Sequence, residues 1–177
     1  MFVLGVDPGV SRCGYGCISS GAGDARVGGE LSVVAMGVIT TPPSDELPAR
    51  LAALDVELRR LLAELRPDAV AVERLFFQAN ARTAMSVGQA SGLVLAAASG
   101  AGARVVQYTP NEVKQAVAGF GAATKEQMQR MVQAQLKLAD RPKPADVADA
   151  LAIALCHLAT APLAARIRAA TDLRVAR

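Results

Sequence analysis

The stretch MFVLGVDPG, Met1–Gly9, is an unbroken apolar run that ends in an aspartate and a Pro-Gly turn. A strand without polar alternation is one buried on both faces, and the turn dipeptide stops it. Asp7 therefore stands at that strand's C-terminal end. Outward from it, Cys13–Ile18 and Leu31–Thr40 read as two more strands joined by the Gly-rich Ser20–Gly29, which predicts an antiparallel meander. Ser44 before Asp45 and Glu46 marks a helix start, and Leu47, Leu51, Leu54, Leu58, Leu61 and Leu65 recur at helical spacing as far as Pro67. Asp68–Val72 is a fourth apolar strand, ending in Glu73; a helix leads into it, which predicts that it runs parallel to the first.

Beyond it, Asn80–Ser99 has a helical pattern rich in small residues, among them Gly88 and Gly92, and Arg104–Tyr108 reads as a fifth strand. Thr109-Pro-Asn-Glu112 is a capping box with proline at the first helical position, opening a short helix to Ala118. Gly119-Phe-Gly121 breaks that helix, and Thr124 with Gln127 starts another through Leu138. Ala145–Ala159 forms the last helix, followed after Pro162 by Arg166, Arg168, Arg174 and Arg177. The order predicts an α/β fold, a five-stranded mixed sheet flanked by helices, with a domain over 1–160 and a basic tail over 161–177.

Composition agrees with that architecture. A chain of 177 residues, 52% hydrophobic and 20% charged, has the material for one domain's core, which excludes disorder as the main state. Its longest apolar stretches fall well short of the ~20 residues that span a bilayer, so a soluble, cytoplasmic protein without membrane contact is expected. Cys13, Cys17 and Cys156 make neither a CxxC pair nor an even disulfide set, and the single histidine, His157, lies in an apolar helical run. Zinc chemistry and a nucleophilic triad are both disfavoured, and these side chains are expected to pack. Charge is uneven: residues 1–73 carry six basic and ten acidic side chains, whereas 74–143 carry nine and three. A basic middle segment suits a polyanion partner or a solvated surface equally well.

Four carboxylates narrow the choice. Asp146 and Asp149, three residues apart, project from one helix face, although acids near a helix start also complement its dipole. Asp7 and Glu73 end two parallel strands, where open α/β sheets place their ligands. Such a cluster repels itself unless cations neutralise it, and oxygen-only ligands favour Mg²⁺ or Mn²⁺. Two such ions could support phosphodiester hydrolysis without a protein nucleophile, with the basic segment holding the phosphates.

The same residues carry a family resemblance. Val6-Asp-Pro-Gly9 with Gly14-Tyr-Gly16, Val72-Glu-Arg-Leu-Phe-Phe77 with Asn80, Gly88-Gln-Ala-Ser-Gly92, Pro110 through Lys114-Gln115, and Ala145-Asp-Val-Ala-Asp-Ala-Leu151 resemble, in order, the RuvC Holliday-junction resolvases. The resemblance implies an RNase H-like fold, a homodimer, and paired symmetric nicks in strands of like polarity, in recombination and DNA repair. It assigns Asp7, Glu73, Asp146 and Asp149 to a site holding two Mg²⁺, with Mn²⁺ as a substitute. Phe76 is implied as the aromatic that stacks on bases at the crossover, and Lys114 and Lys125 as contacts near the scissile strand. A four-way DNA junction and the branch-migration motor of RuvA and RuvB are the implied partners. Two other readings stay open at this point: a YqgF-type RNase H-like nuclease acting on RNA, and a junction-binding module without catalysis. A third possibility, an actin-like nucleotide-binding fold, is disfavoured, since 177 residues are few for two lobes and no second phosphate-gripping glycine loop is evident.

Overall fold

The structure is a computed structural model that describes residues 1–21, 30–74 and 81–175, without the side chains of 81–84 and 162–175. Its five strands are β1 (Phe2–Asp7), β2 (Arg12–Ser20), β3 (Leu31–Thr40), β4 (Ala69–Glu73) and β5 (Arg104–Tyr108). Its helices are α1 (Leu47–Leu65), α2 (Ala81–Gly100), α3 (Pro110–Ala118), α4 (Lys125–Gln135) and α5 (Ala145–Val175). The sheet order is β3-β2-β1-β4-β5. The first three strands pair antiparallel, as the meander predicts, and β4 pairs parallel with both β1 and β5.

Alternate side chains of the central strands feed two apolar layers. Leu4 and Val6 of β1 join Leu54, Leu58 and Val94 from α1 and α2 on one face. Val3 joins Val113, Val132 and Leu151 from α3, α4 and α5 on the other. Both faces are covered, which explains why β1 and β4 are continuously apolar. Each fully buried leucine here contributes roughly 1.5–3 kcal/mol by leaving water.

Three glycines set the depth of α5. A Cβ on Gly5 would meet the Ala150 carbonyl, one on Gly14 the Asp146 carbonyl, and one on Gly16 the Leu151 side chain. Gly5 and Gly16 are register partners, and Gly14 is paired with Asp7. The helix that carries two of the four acids therefore rests directly on strand backbone beside the third.

The capping boxes at Thr109 and Thr124 form as read from the sequence. Three boundaries differ. Ser44 does not cap α1: Glu46 is the N-cap, without a side-chain bond, and Pro48 sits in the first turn, where its fixed φ and missing N–H suit the start. Helix α4 stops at Gln135 because Lys137 turns into the left-handed region at φ 51°. Helix α5 runs through Pro162 to Val175 instead of ending at Ala159, since alanine- and leucine-rich flanks sustain helix where one proline removes a single bond.

The three cysteines are buried and unpaired. His157 is buried too, its Nδ1 2.8 Å from the Tyr108 hydroxyl, which lies 3.0 Å from Thr160 Oγ1. Thr160 donates to the Cys156 carbonyl, so Tyr108 must donate to Thr160 and His157 Nδ1–H to Tyr108. Burial holds this imidazole near pKa 4, and it is neutral at physiological pH. No helix among the described residues is long and apolar enough to cross a membrane.

Candidate active site

Val6 and Val72 are register partners on adjacent parallel strands, so Asp7 and Glu73, one residue further on, emerge side by side at the carboxyl edge of the sheet. Helix α5 begins above them, and its first turns supply Asp146 and Asp149. A cleft of about 280 Å³ opens here, lined by Asp7, Glu73 and Asp149, by Pro110 and Lys114 of α3, and by Lys125 of α4, among others. The sequence-predicted carboxylates at 7, 73 and 149 and both predicted lysines thus share one cavity. Asp146 lies at its margin, and Phe76 falls outside the described residues.

The electrostatics are those of a crowded anionic centre. Burial, then the charges of Glu73, Asp149 and Asp146, push the Asp7 carboxyl up to about 7. Glu73 is raised by burial and next by Asp149, while Lys125 and Lys114 oppose the shift. Two cations relieve the strain. Lys125 Nζ lies 2.9 Å from Asp149 Oδ2, and its own pKa is raised by that bond. Arg12 donates Nε and Nη2 to Asp146 Oδ2 at 3.0 and 2.8 Å, holding that carboxyl below its ordinary value.

These pairings also explain the geometry. Among the described residues, no group of three or more Asp, Glu, His or Cys is closed around a single point as an ion-binding cage. Arg12 draws Asp146 toward β2, and Lys125 holds one oxygen of Asp149. The donor set is nonetheless the right one for a hard divalent cation: carboxylate oxygens only, with more negative charge than the two basic partners offset. Arg12 is the site residue that sequence reading missed. Its only local signal is a place one turn after Asp7-Pro-Gly9, and its partner lies 134 positions away.

With this arrangement in view, comparison with known proteins is decisive. The family model for crossover junction endodeoxyribonuclease RuvC matches residues 3–157. The chain belongs to the RuvC family. A RuvC from Moorella thermoacetica is 49% identical over 92% of this chain and 93% of its own. One from Parafrankia is 49% identical over 98% and 95%. Thermus thermophilus RuvC superposes with a TM-score of 0.84 at 38% identity, covering 93% of this chain and 97% of that one. The same Thermus protein in complex with Holliday junction substrate gives 0.85 at 38% identity, covering 93% and 96%. A yeast mitochondrial Holliday junction resolvase, Ydc2, shares the fold with a TM-score of 0.63 at 15% identity. As a member of this family, the chain is an RNase H-like nuclease that hydrolyses phosphodiester bonds in the crossover-junction class; the RNA-directed and non-catalytic readings are not favoured. Nucleases of this family are metal-dependent.

Proposed function

We propose that this nuclease resolves four-way DNA junctions by paired symmetric nicks in strands of like polarity, working as a homodimer in the cytoplasm. The observation that carries the reading is the convergence of Asp7, Glu73, Asp149, Lys114 and Lys125 on one cleft. Residues 1–160 make up the nuclease domain, and 161–177 a basic extension.

Asp7, Glu73, Asp146 and Asp149 would hold Mg²⁺, two ions per site, with Mn²⁺ as a substitute. Bound there, the ions supply charge stabilisation for an in-line phosphodiester displacement and lower the pKa of water. The chain's own residues do the remainder. Lys114 and Lys125 flank the acids and draw the phosphodiester backbone into the cleft. Asp7 and Glu73, fixed at adjacent strand ends, define the place of attack within a rigid frame. Arg12 and Lys125, which pair with Asp146 and Asp149, offset part of the negative charge that a bound cation would neutralise. Phe76 is assigned to stacking on bases at the crossover.

Incubating the purified protein with a mobile four-way DNA junction and Mg²⁺ tests the reading. Nicks in two strands of like polarity are expected; cleavage of structured RNA with the junction left intact would refute it. Lys125→Ala should weaken junction binding and flatten the log–log dependence of affinity on salt by about 0.9, the value of one phosphate contact. Titration between 50 and 200 mM salt measures this, and an unchanged slope removes Lys125 from the phosphate path.

The dimer is proposed to form through α2. Gly88 and Gly92 have nothing within 4 Å of a Cβ position, so their face is open for a second helix to approach. Gly92→Leu should abolish association in sedimentation while each subunit keeps its far-ultraviolet circular dichroism. A Gly92→Leu protein that remains dimeric would place the interface elsewhere.

The RuvA and RuvB motor completes the proposed partner set by way of the family.

A further inference from the structure

Two aromatic side chains are exposed among the described residues: Phe2 and Phe120. Phe2 starts β1, at the end of the sheet away from the cleft. Phe120 lies in the turn joining α3 to α4, the two helices that bring Lys114 and Lys125 to the cleft.

That turn is held at nearly every step except the phenylalanine. Gly119 adopts φ 84°, donates its N–H to the Gln115 carbonyl at 3.1 Å, and accepts from Gln115 Nε2 at 2.7 Å. Gly121 packs so closely on Asn111 Oδ1 that a Cβ would collide with it. Ala123 is buried, Thr124 caps α4, and Gln135 Nε2 donates to the Val117 carbonyl at 2.8 Å. The connection therefore doubles back along the Asn111–Gln115 face of α3, next to the face that carries Pro110 and Lys114. Phe120 stands between its two glycines, 46% exposed.

We propose that Phe120 is a second base-stacking residue of this nuclease, which fixes the scissile strand laterally while Lys114 and Lys125 hold its phosphates. The inference rests on the junction-resolving reading above. The partner chemistry follows from the surroundings. A rigidly presented aromatic in the turn between the two helices whose lysines line the cleft matches a ligand with flat apolar surfaces on an anionic chain, and a nucleobase is that ligand. Stacking fixes a base along and across the strand, which charge alone does not do. A pinned turn loses little entropy on contact, so the ring's position is carried into the position of the bond to be cut.

The test uses the full-length protein with Phe120→Ala, Phe120→Leu and Phe120→Trp on a four-way DNA junction carrying 2-aminopurine beside the nick. Phe120→Ala should slow single-turnover nicking roughly five- to hundredfold, the range of one base–aromatic contact, and abolish the protein-dependent change in 2-aminopurine fluorescence. It should also spread the cuts over neighbouring phosphodiesters, with the melting temperature unchanged. Phe120→Trp should keep rate and register, and Phe120→Leu should behave as Phe120→Ala. Wild-type rate, register and fluorescence response in Phe120→Ala would overturn the proposal while leaving the junction reading intact. Full rescue by leucine would overturn stacking in favour of a simple apolar contact. A wild-type protein that does not nick the junction would overturn both.

Discussion

Asp7→Asn is expected to lower the nicking rate by roughly a thousandfold or more while the four-way junction still binds. A ligand oxygen lost from a metal-assisted hydrolysis removes several kcal/mol of transition-state stabilisation, and each 1.36 kcal/mol is a factor of ten. With binding carried by the lysines across the cleft, as proposed, affinity should hold or tighten, because one negative charge near phosphate is gone. Stability supplies the control. The Asp7 carboxyl lies near pKa 7 in the folded chain, against 3.8 for a free side chain. Between those values the folded state holds a proton that the unfolded state has released, so Asp7's contribution to stability falls as pH rises from about 4 to about 7. Asparagine carries no such charge. In chelator at pH 8, Asp7→Asn should therefore melt no lower than the wild-type protein, and should gain on it as pH rises from 5 to 8. Loss of nicking together with a lower melting temperature would make Asp7 a structural residue.

The second large effect comes from a methyl group. Gly14→Ala places a Cβ against the Asp146 carbonyl, which is backbone and cannot rotate aside. Either β2 or α5 must shift. Overpacking of this kind typically costs about 1–3 kcal/mol, which in a chain of this size lowers the melting temperature by roughly 2–12 °C. Nicking should fall further than stability accounts for, since α5 carries Asp146 and Asp149 away from Asp7 and Glu73. Gly100→Ala is the matched control, because nothing lies within 4 Å of its Cβ position. It should stay within about 0.5 kcal/mol of wild type by thermal melting. If Gly14→Ala melts with wild type and nicks normally, the glycine contact does not set the depth of α5.

Signals confined to a few neighbouring residues were the legible ones. Continuous apolar runs at Met1–Val6 and Asp68–Val72 announced doubly covered strands, and Thr109 and Thr124 announced helix starts through partners three residues away. Asp7 and Glu73 could be read as neighbours because a helix crossover implies parallel strands, and β1 and β4 are parallel. Long-range contact was not legible. Arg12 looks like any strand-end arginine until α5 brings Asp146 to it, and Gly14 looks like ordinary β-strand glycine until the same helix presses on it. Pro162 shows the opposite: a strong local stop signal gives way to the helix propensity of the residues around it. The position of Asp146 at the margin of the cleft, and not within it, follows from the arginine that sequence reading passed over.

The acids come from the first strand, the fourth strand and the last helix, and α5 covers one face of the sheet. During synthesis all five strands leave the ribosome well before residues 146 and 149 do. The nascent chain at that stage has a sheet with one apolar side bare and half of its acidic set missing. On the proposed site, the full acidic set and completion of the core arrive together, with the docking of one helix. A product terminated before α5 lacks the helix that covers this face and, with that apolar side exposed, is a substrate for quality-control proteases.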